Sequence, residues 1–270
     1  MNLKDALPEV FNRIWPALDP ETQILLALLL LRSHQIDALP LVIRNKQYNK
    51  FVSGYSCLSR LAQIHPEEYG NFFKQSSEDV SLELPTIPAE ECLESLLEAF
   101  SKNRFGFAWA EWKGNSEVGG FVSLRDILAL YGRSVLSTDL TIGDIASKNI
   151  FSLTSNSSLK QALDEMSSRR IRRILVSDTG MIISDRQMIH HVFSPDRLNQ
   201  IYSTPSALLD GRIGDLEGIE PFKLESSQNV KDAAALLVVS AGCVICESGI
   251  VTPWDIILGP WEKKELRIAE

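Results

Sequence analysis

The sequence predicts an α+β protein made of four tandem β-α-β-β-α repeats. Three observations carry this: a helix with one apolar stripe, then two short apolar strands and a second helix, recur along the chain; each second strand ends in Ser or Thr just before a helix; and aligned positions fall 61 to 68 residues apart. The composition permits it. With 270 residues, 44% hydrophobic and 23% charged, the chain can bury one large or two ordinary cores, and neither wholesale disorder nor a collagen-like repeat fits.

The clearest unit runs from 141 to 193. After the turn Thr154–Ser158, Leu159, Ala162, Leu163 and Met166 stand at i, i+3, i+4 and i+7, one face of a helix, with Ser157 or Ser158 as its N-cap. Ile171 to Val176 reads as a strand, Asp178-Thr179-Gly180 as a tight turn, Met181 to Ile183 as the paired strand and Gln187 to Phe193 as a short helix. Toward the C-terminus the order returns: stripe Val230, Ala233, Ala234, Leu237, strands Cys243–Cys246 and Gly249–Val251, helix Trp254–Leu258. Upstream it is Leu93, Leu96, Leu97, Phe100, then Phe107–Trp112, a turn at Lys113–Ser116, Gly119–Val122 and a helix from Arg125 to Tyr131. A more degraded first copy has a helix over Ile24–Leu31, strands Leu39–Ile43 and Lys50–Tyr55, and a helix over Cys57–Ala62. Residues 1–15 read as an amphipathic first helix. Each unit is a small sheet with helices on one side, so each needs a partner to bury its open apolar face.

The second strands end in a shared motif. Gly120-Phe-Val-Ser123-Leu-Arg-Asp126-Ile-Leu128 and Gly249-Ile-Val-Thr252-Pro-Trp-Asp255-Ile-Ile257 carry it in full. Repeat 3 keeps Ser184 with Gln187 at the acid position, and repeat 1 aligns as Ser56 with Ser59. In this order and ending the chain resembles the CBS domain family over nearly its whole length. The resemblance implies four CBS repeats, at 1–66, 78–136, 137–196 and 207–262, paired through their sheets into two Bateman modules, an organisation similar to that of the gamma subunit of AMP-activated protein kinase. Repeats 1 with 2 and 3 with 4 are the expected pairs. Residues 65–81 and 194–209 are the expected linkers, rich in polar and turn residues.

Ser/Thr-x-x-Asp at a strand-to-helix junction has a definite chemistry. The hydroxyl caps the helix, the acid follows one turn later on the same side, and the free N–H groups and dipole of the helix start favour a phosphate while a carboxylate accepts from a ribose diol. An adenosine phosphate satisfies both ends. The family implies the same roles, with Thr252 and Ser123 near phosphate and Asp255 and Asp126 on ribose. The same tetrapeptide equally reads as a plain helix cap whose acid complements the dipole. Ser184 heads the third junction, where uncharged Gln187 weakens a ribose contact. Arg169, Arg170, Arg172 and Arg173 form a dense basic cluster in an otherwise acidic chain, placing Arg172 or Arg173 to meet phosphate, or alternatively a solvated patch or partner carboxylates. With repeats 3 and 4 as partners, the Asp255 site would lie beside this cluster and ranks first; repeat 2 has only Lys102, Arg104 and Arg125 nearby.

Other chemistries find little support. Cys243 and Cys246 would point to opposite faces of a strand, and no second Cys/His pair lies near them, so no metal site is expected. His190 and His191 diverge by about 100° on a helix. There is no GxSxG, P-loop, GxGxxG after a strand or HExxH, so no catalytic residues and no catalytic cofactor are expected. The net charge of −8 disfavours nucleic acid, and four cysteines, no signal-like start and an apolar run of only eight residues from Ile24 point to a cytoplasmic protein without a membrane anchor. The resulting expectation is a regulatory module that binds AMP, ADP, ATP or S-adenosylmethionine and acts on a protein partner or a second copy. The alternative is an interaction module whose pockets have decayed.

Overall fold

The computed structural model describes residues 1–43, 46–103, 105–112, 119–240 and 242–269. The expected turn at Lys113–Ser116, and Arg104, lie outside them. Each repeat contains the predicted elements. In repeat 2 the Leu93–Asn103 helix buries Leu93, Leu96, Leu97 and Phe100, strand Thr86–Pro88 runs parallel to Phe107–Glu111, that strand pairs antiparallel with Gly119–Ser123, and the Leu124–Gly132 helix follows. Repeat 4 repeats this with Phe222–Lys223, Val244–Cys246 and Gly249–Val251 around the Val230–Val239 helix, and closes with Pro253–Glu262. Repeat 3 has Ser152–Leu153, Arg173–Val176 and Ile182–Ser184, with helices Leu159–Arg169 and Asp185–Val192. Its strand starts two residues later than the hydrophobic pattern suggests, because Arg170 adopts a left-handed conformation that ends the preceding helix. Repeat 1 has an antiparallel pair, Ala38–Ile43 with Lys46–Ser53, between helices Ile24–Ser33 and Gly54–Gln63.

The chain divides into two compact units, each with its own core. One comprises 1–15, 84–150 and 221–270 and holds repeats 2 and 4; the other comprises 16–83 and 151–220 and holds repeats 1 and 3. Within each unit the contact is made by helices: Leu124–Gly132 against Val230–Val239 and Pro253–Glu262 in one, Gly54–Gln63 against Leu159–Arg169 and Asp185–Val192 in the other. These helices carry the continuous apolar faces, so they supply most of the area removed from water.

Two further expectations change. Pro8, which cannot accept a helix-interior position, splits the N-terminal helix into Leu3–Ala6 and Pro8–Asn12. Residues 1–15, grouped by sequence with repeat 1, instead dock on repeat 2, with the Leu3 and Lys4 amides donating to the Glu91 and Ala89 carbonyls. The two expected linkers are packed structure: Tyr69, Phe72, Phe73 and Val80 are buried in the first, and the second contains the Pro195–Ser203 helix with Ile201 buried.

A motif absent from the sequence reading explains how repeats exchange segments. Ile142-Gly143-Asp144 and Ile213-Gly214-Asp215 precede repeats 3 and 4. The Ile142 and Gly143 amides donate to the Gln228 and Ser226 carbonyls of repeat 4, and the Ile213 and Gly214 amides donate to the Ser157 and Ser155 carbonyls of repeat 3. A Cβ on Gly143 would lie 3.0 Å from the Ser226 Cβ, and one on Gly214 would lie 3.0 Å from the Ser155 carbonyl oxygen. Glycine permits this approach. Thus 137–150 and 207–220, at the heads of the expected repeats 3 and 4, each pack in the compact unit of the repeat before them.

One buried bond ties repeat 2 to repeat 4. Pro260 lies inside the Pro253–Glu262 helix and has no N–H, so the Ile256 carbonyl four residues earlier lacks its intrahelical donor. The Tyr131 hydroxyl, from the second helix of repeat 2, donates to that carbonyl at 3.0 Å. Burial also raises the Tyr131 pKa, keeping the phenol protonated. Tyr131→Phe should therefore cost about 1–3 kcal/mol by orphaning a buried carbonyl. In a Pro260→Ala background, where the helix supplies its own donor, the same substitution should cost distinctly less; urea unfolding of the four proteins checks the difference.

Candidate functional site

The four strand-to-helix junctions have one construction. The residue that ends the second strand, or in repeat 4 the one just after it, is the N-cap, and the residue three positions on returns a side-chain acceptor to it. In repeat 2 the Ser123 amide and hydroxyl both donate to Asp126 Oδ2, at 2.8 and 2.7 Å. In repeat 4 the Thr252 amide and hydroxyl donate to Asp255 Oδ2 at 2.7 and 2.6 Å. In repeat 3 the Ser184 amide donates to Gln187 Oε1 at 3.2 Å, and the Ser184 hydroxyl donates to the same oxygen. In repeat 1 the pair is Ser53 with Ser56: the Ser53 amide donates to Ser56 Oγ at 3.1 Å and the Ser56 amide to Ser53 Oγ at 3.0 Å. The Ser56/Ser59 alignment is therefore three residues out of register, because the longer strand Lys46–Ser53 lacks the glycine that marks the motif in repeats 2 and 4.

These are capping boxes, and the box is not confined to the junctions. Thr141 and Asp144 make the same pair of bonds, both 2.8 Å, at the start of the Ile142–Ile145 turn of helix on the surface. What distinguishes Asp126 and Asp255 is position, at the ends of paired strands in one compact unit. Asp126 is 7% exposed, and its second oxygen, Oδ1, accepts from the Arg13 guanidinium at 2.9 Å. Arg13 was not singled out by the sequence, since nothing local links it to a motif more than a hundred residues away.

The basic cluster makes contacts inside its own unit. Arg172 and Arg173 belong to the compact unit of repeats 1 and 3. Arg173 opens its strand opposite Ser184. Arg172 donates from Nε to Asp185 Oδ2 at 3.0 Å, and its Nη2 lies 2.8 Å from the same oxygen and 3.7 Å from Asp37 Oδ1. Arg186 grips Asp37 Oδ1 with Nε at 3.1 Å and Nη2 at 2.7 Å. Asp37 and Asp185 are thus internal anions standing where a ligand phosphate was expected. Asp185 follows the cap Ser184, and Asp37 precedes the first strand of repeat 1, joining repeats 1 and 3 by charge.

Asp37, Asp185 and Arg186 also line a pocket with Leu31, Arg32, Ile36, Gly54, Ile189 and His190. Its enclosed space is about 10 Å³, room for one water rather than a nucleotide. Burial and the neighbouring Arg32 and Arg186 charges lower the His190 pKa, so the imidazole is neutral near pH 7. Among the described residues no group of three or more His, Cys, Asp or Glu is placed to hold a metal, and no helix is long and apolar enough to cross a membrane.

The junctions, the three-stranded sheets with paired helices and the fourfold repetition give the chain four units of one α+β design. Residues 142–192 match the CBS domain family, so the third of these units is a CBS domain. The chain has the fold of a Methanocaldococcus jannaschii protein proposed as an archaeal homolog of g-AMPK, with a TM-score of 0.82 at 17% identity, over 96% of this chain and 99% of that one. An uncharacterised conserved protein from Pyrococcus horikoshii aligns over 83% of this chain and 90% of its own length, with a TM-score of 0.51 at 11% identity. The CBS domain pair of a second protein, MJ0100, solved with 5′-methylthioadenosine and S-adenosyl-L-methionine, aligns over 50% of this chain and 98% of its own, with a TM-score of 0.39 at 20% identity. No curated protein matches the chain.

The internal ion network sets a pH dependence. Burial alone would raise the Asp37 pKa, but the Arg172 and Arg186 charges and the Arg186 hydrogen bonds outweigh it and hold the carboxyl at about 2, below its usual 3.8. A depressed folded-state pKa contributes stability above the unfolded value and loses it as pH falls through the folded one. The contribution is about 2 kcal/mol, present above roughly pH 4 and gone near pH 2. Asp37→Asn should therefore lower stability by about that amount at pH 7 and flatten the acid limb of the stability curve between roughly pH 4 and 2, as read by chemical denaturation across pH.

Proposed function

We propose that the protein is a non-catalytic regulatory module that binds an adenosine-containing ligand, AMP, ADP, ATP or S-adenosylmethionine, at the junctions of repeats 2 and 4, and passes occupancy to a protein partner or a second copy. The observation that carries the reading is the matched pair Ser123/Asp126 and Thr252/Asp255. Each carboxylate is fixed through Oδ2 by its own cap, at the start of a helix in one compact unit. An anchored carboxylate is a pre-set acceptor for a diol, and the helix start beside it favours phosphate. Ser184, Arg172 and Arg173 are the corresponding candidates in the other unit, with Ser184 bonded to Gln187 and Arg172 held by Asp185 and Asp37.

The route for transmission is the packing of the two junction helices. Leu124–Gly132 and Pro253–Glu262 begin at the two caps, touch along their lengths and share the Tyr131–Ile256 bond. A ligand that shifts one helix start acts on the other, and a partner that prefers the shifted form binds more tightly.

A second reading is specific to repeats 1 and 3. There Asp37 and Asp185 are held by Arg186 and Arg172, and the pocket they line has room for about one water, which supports a structural role for that network.

Isothermal titration with AMP and with S-adenosylmethionine tests the first reading. Asp255→Ala should weaken binding about tenfold or more, the loss of a hydrogen bond to a charged group. Equal affinity of wild type and variant, or no heat at millimolar ligand, sinks the ribose assignment.

A further inference from the structure

The N-terminal segment carries its own claim on the repeat 2 junction. Residues 8–15 cross the Gly119–Ser123 strand, and the approach is close: a Cβ on Gly120 would lie 2.3 Å from Val10 Cγ1 and 2.9 Å from the Val10 carbonyl oxygen. The segment is anchored on both sides of Arg13. Upstream, Val10 is fully buried and Glu9 pairs with Arg133 at 2.8 Å. Downstream, the Trp15 ring meets the Phe121 ring edge-on at 5.5 Å, and the Arg13 guanidinium lies 4.6 Å from the Trp15 ring centroid. Between these anchors Arg13 bonds Asp126.

We infer that Arg13 is a latch on the repeat 2 site, holding Asp126 against any ligand diol until the guanidinium swings away. The inference rests on the ribose role proposed for Asp126. The geometry leaves a ligand few ways in. Asp126 Oδ2 already accepts two donors from Ser123, and Oδ1 accepts from Arg13. A ligand hydroxyl reaching Oδ1 competes with a guanidinium, and an ion pair charged on both sides outweighs a bond in which only the acceptor is charged. The two partners differ in freedom: the Asp126 side chain is 7% exposed and fixed, whereas the Arg13 side chain is 39% exposed and has solvent to move into. Ile14, beside it, is 97% exposed, so the segment is held by its ends and not by its middle. The latch makes the two junctions of this unit unequal, and anything that lifts residues 8–15 would open the second site.

AMP titration of Asp255→Ala, which leaves repeat 2 as the remaining junction, reads the latch directly. Adding Arg13→Gln should tighten AMP binding about tenfold, and Asp126→Ala in the same protein should abolish that gain. Arg13→Lys, which keeps the ion pair, should leave the affinity of Asp255→Ala unchanged; thermal unfolding of each protein confirms that it is folded. Identical affinity with and without Arg13→Gln, while wild type still binds more tightly than Asp255→Ala, overturns the latch and leaves the nucleotide reading standing. A tenfold gain from Arg13→Lys also overturns it, since the ion pair would then be irrelevant. Absence of AMP binding by every protein in the series overturns the nucleotide reading and the latch together.

Discussion

The packing of helix on helix between non-neighbouring repeats is the constraint on which the rest depends. A three-stranded sheet of two- to eight-residue strands cannot form a core alone, so each repeat must bury its apolar helical face elsewhere. In the unit of repeats 2 and 4 that face is sealed by Leu93, Leu97, Ile127, Leu130, Val230, Leu237 and Ile257, all fully buried. Within that apolar setting Pro260 leaves one helical carbonyl without a donor, and Tyr131 answers it from the other repeat. The bond is directional where hydrophobic contact is not, so it fixes how the two junction helices register.

The two units resolve a common problem differently. Repeats 2 and 4 join through apolar helices and one hydroxyl, leaving their acids at the strand ends. Repeats 1 and 3 add a network of Asp37, Arg172, Asp185 and Arg186, in which each cation has its carboxylate. Burial works against Arg172's charge, yet Asp185 and Asp37 raise its pKa, so the guanidinium stays fully ionised. A site already supplied with its own anions has little to gain from a phosphate. The units differ in charge placement: in one, Arg172 and Arg186 meet Asp185 and Asp37 of that unit; in the other, two junction carboxylates are anchored by their caps, Asp126 also by Arg13.

That arrangement also explains why the motif is an ambiguous guide. The bonds at Thr252/Asp255 recur at the exposed Thr141/Asp144 box, which starts only a four-residue turn of helix. A capping box is first a way to start a helix, and it becomes a recognition element only when a sheet places it at a crevice and leaves the acid able to exchange partners. At Asp126 the exchange is controlled by a residue brought from the far N-terminus.

The sequence by itself determined the local structure: the apolar stripes of the helices, the paired strands, the fourfold repetition and the caps at Ser123, Ser184 and Thr252. Those signals act over three or four residues, where spacing and hydrogen-bonding chemistry are decisive. In repeat 1 the motif is eroded, and the pattern points to Ser56 where the cap is Ser53. Only the tertiary structure decided which repeats share a core, where residues 1–15 dock, which carboxylates hold Arg172 and Arg186, and that Tyr131 completes the helix of Pro260. Four repeats with similar apolar faces make nearly equivalent partners, so their pairing is set by the fit of whole surfaces and by charges distant in the chain, and no local pattern encodes it.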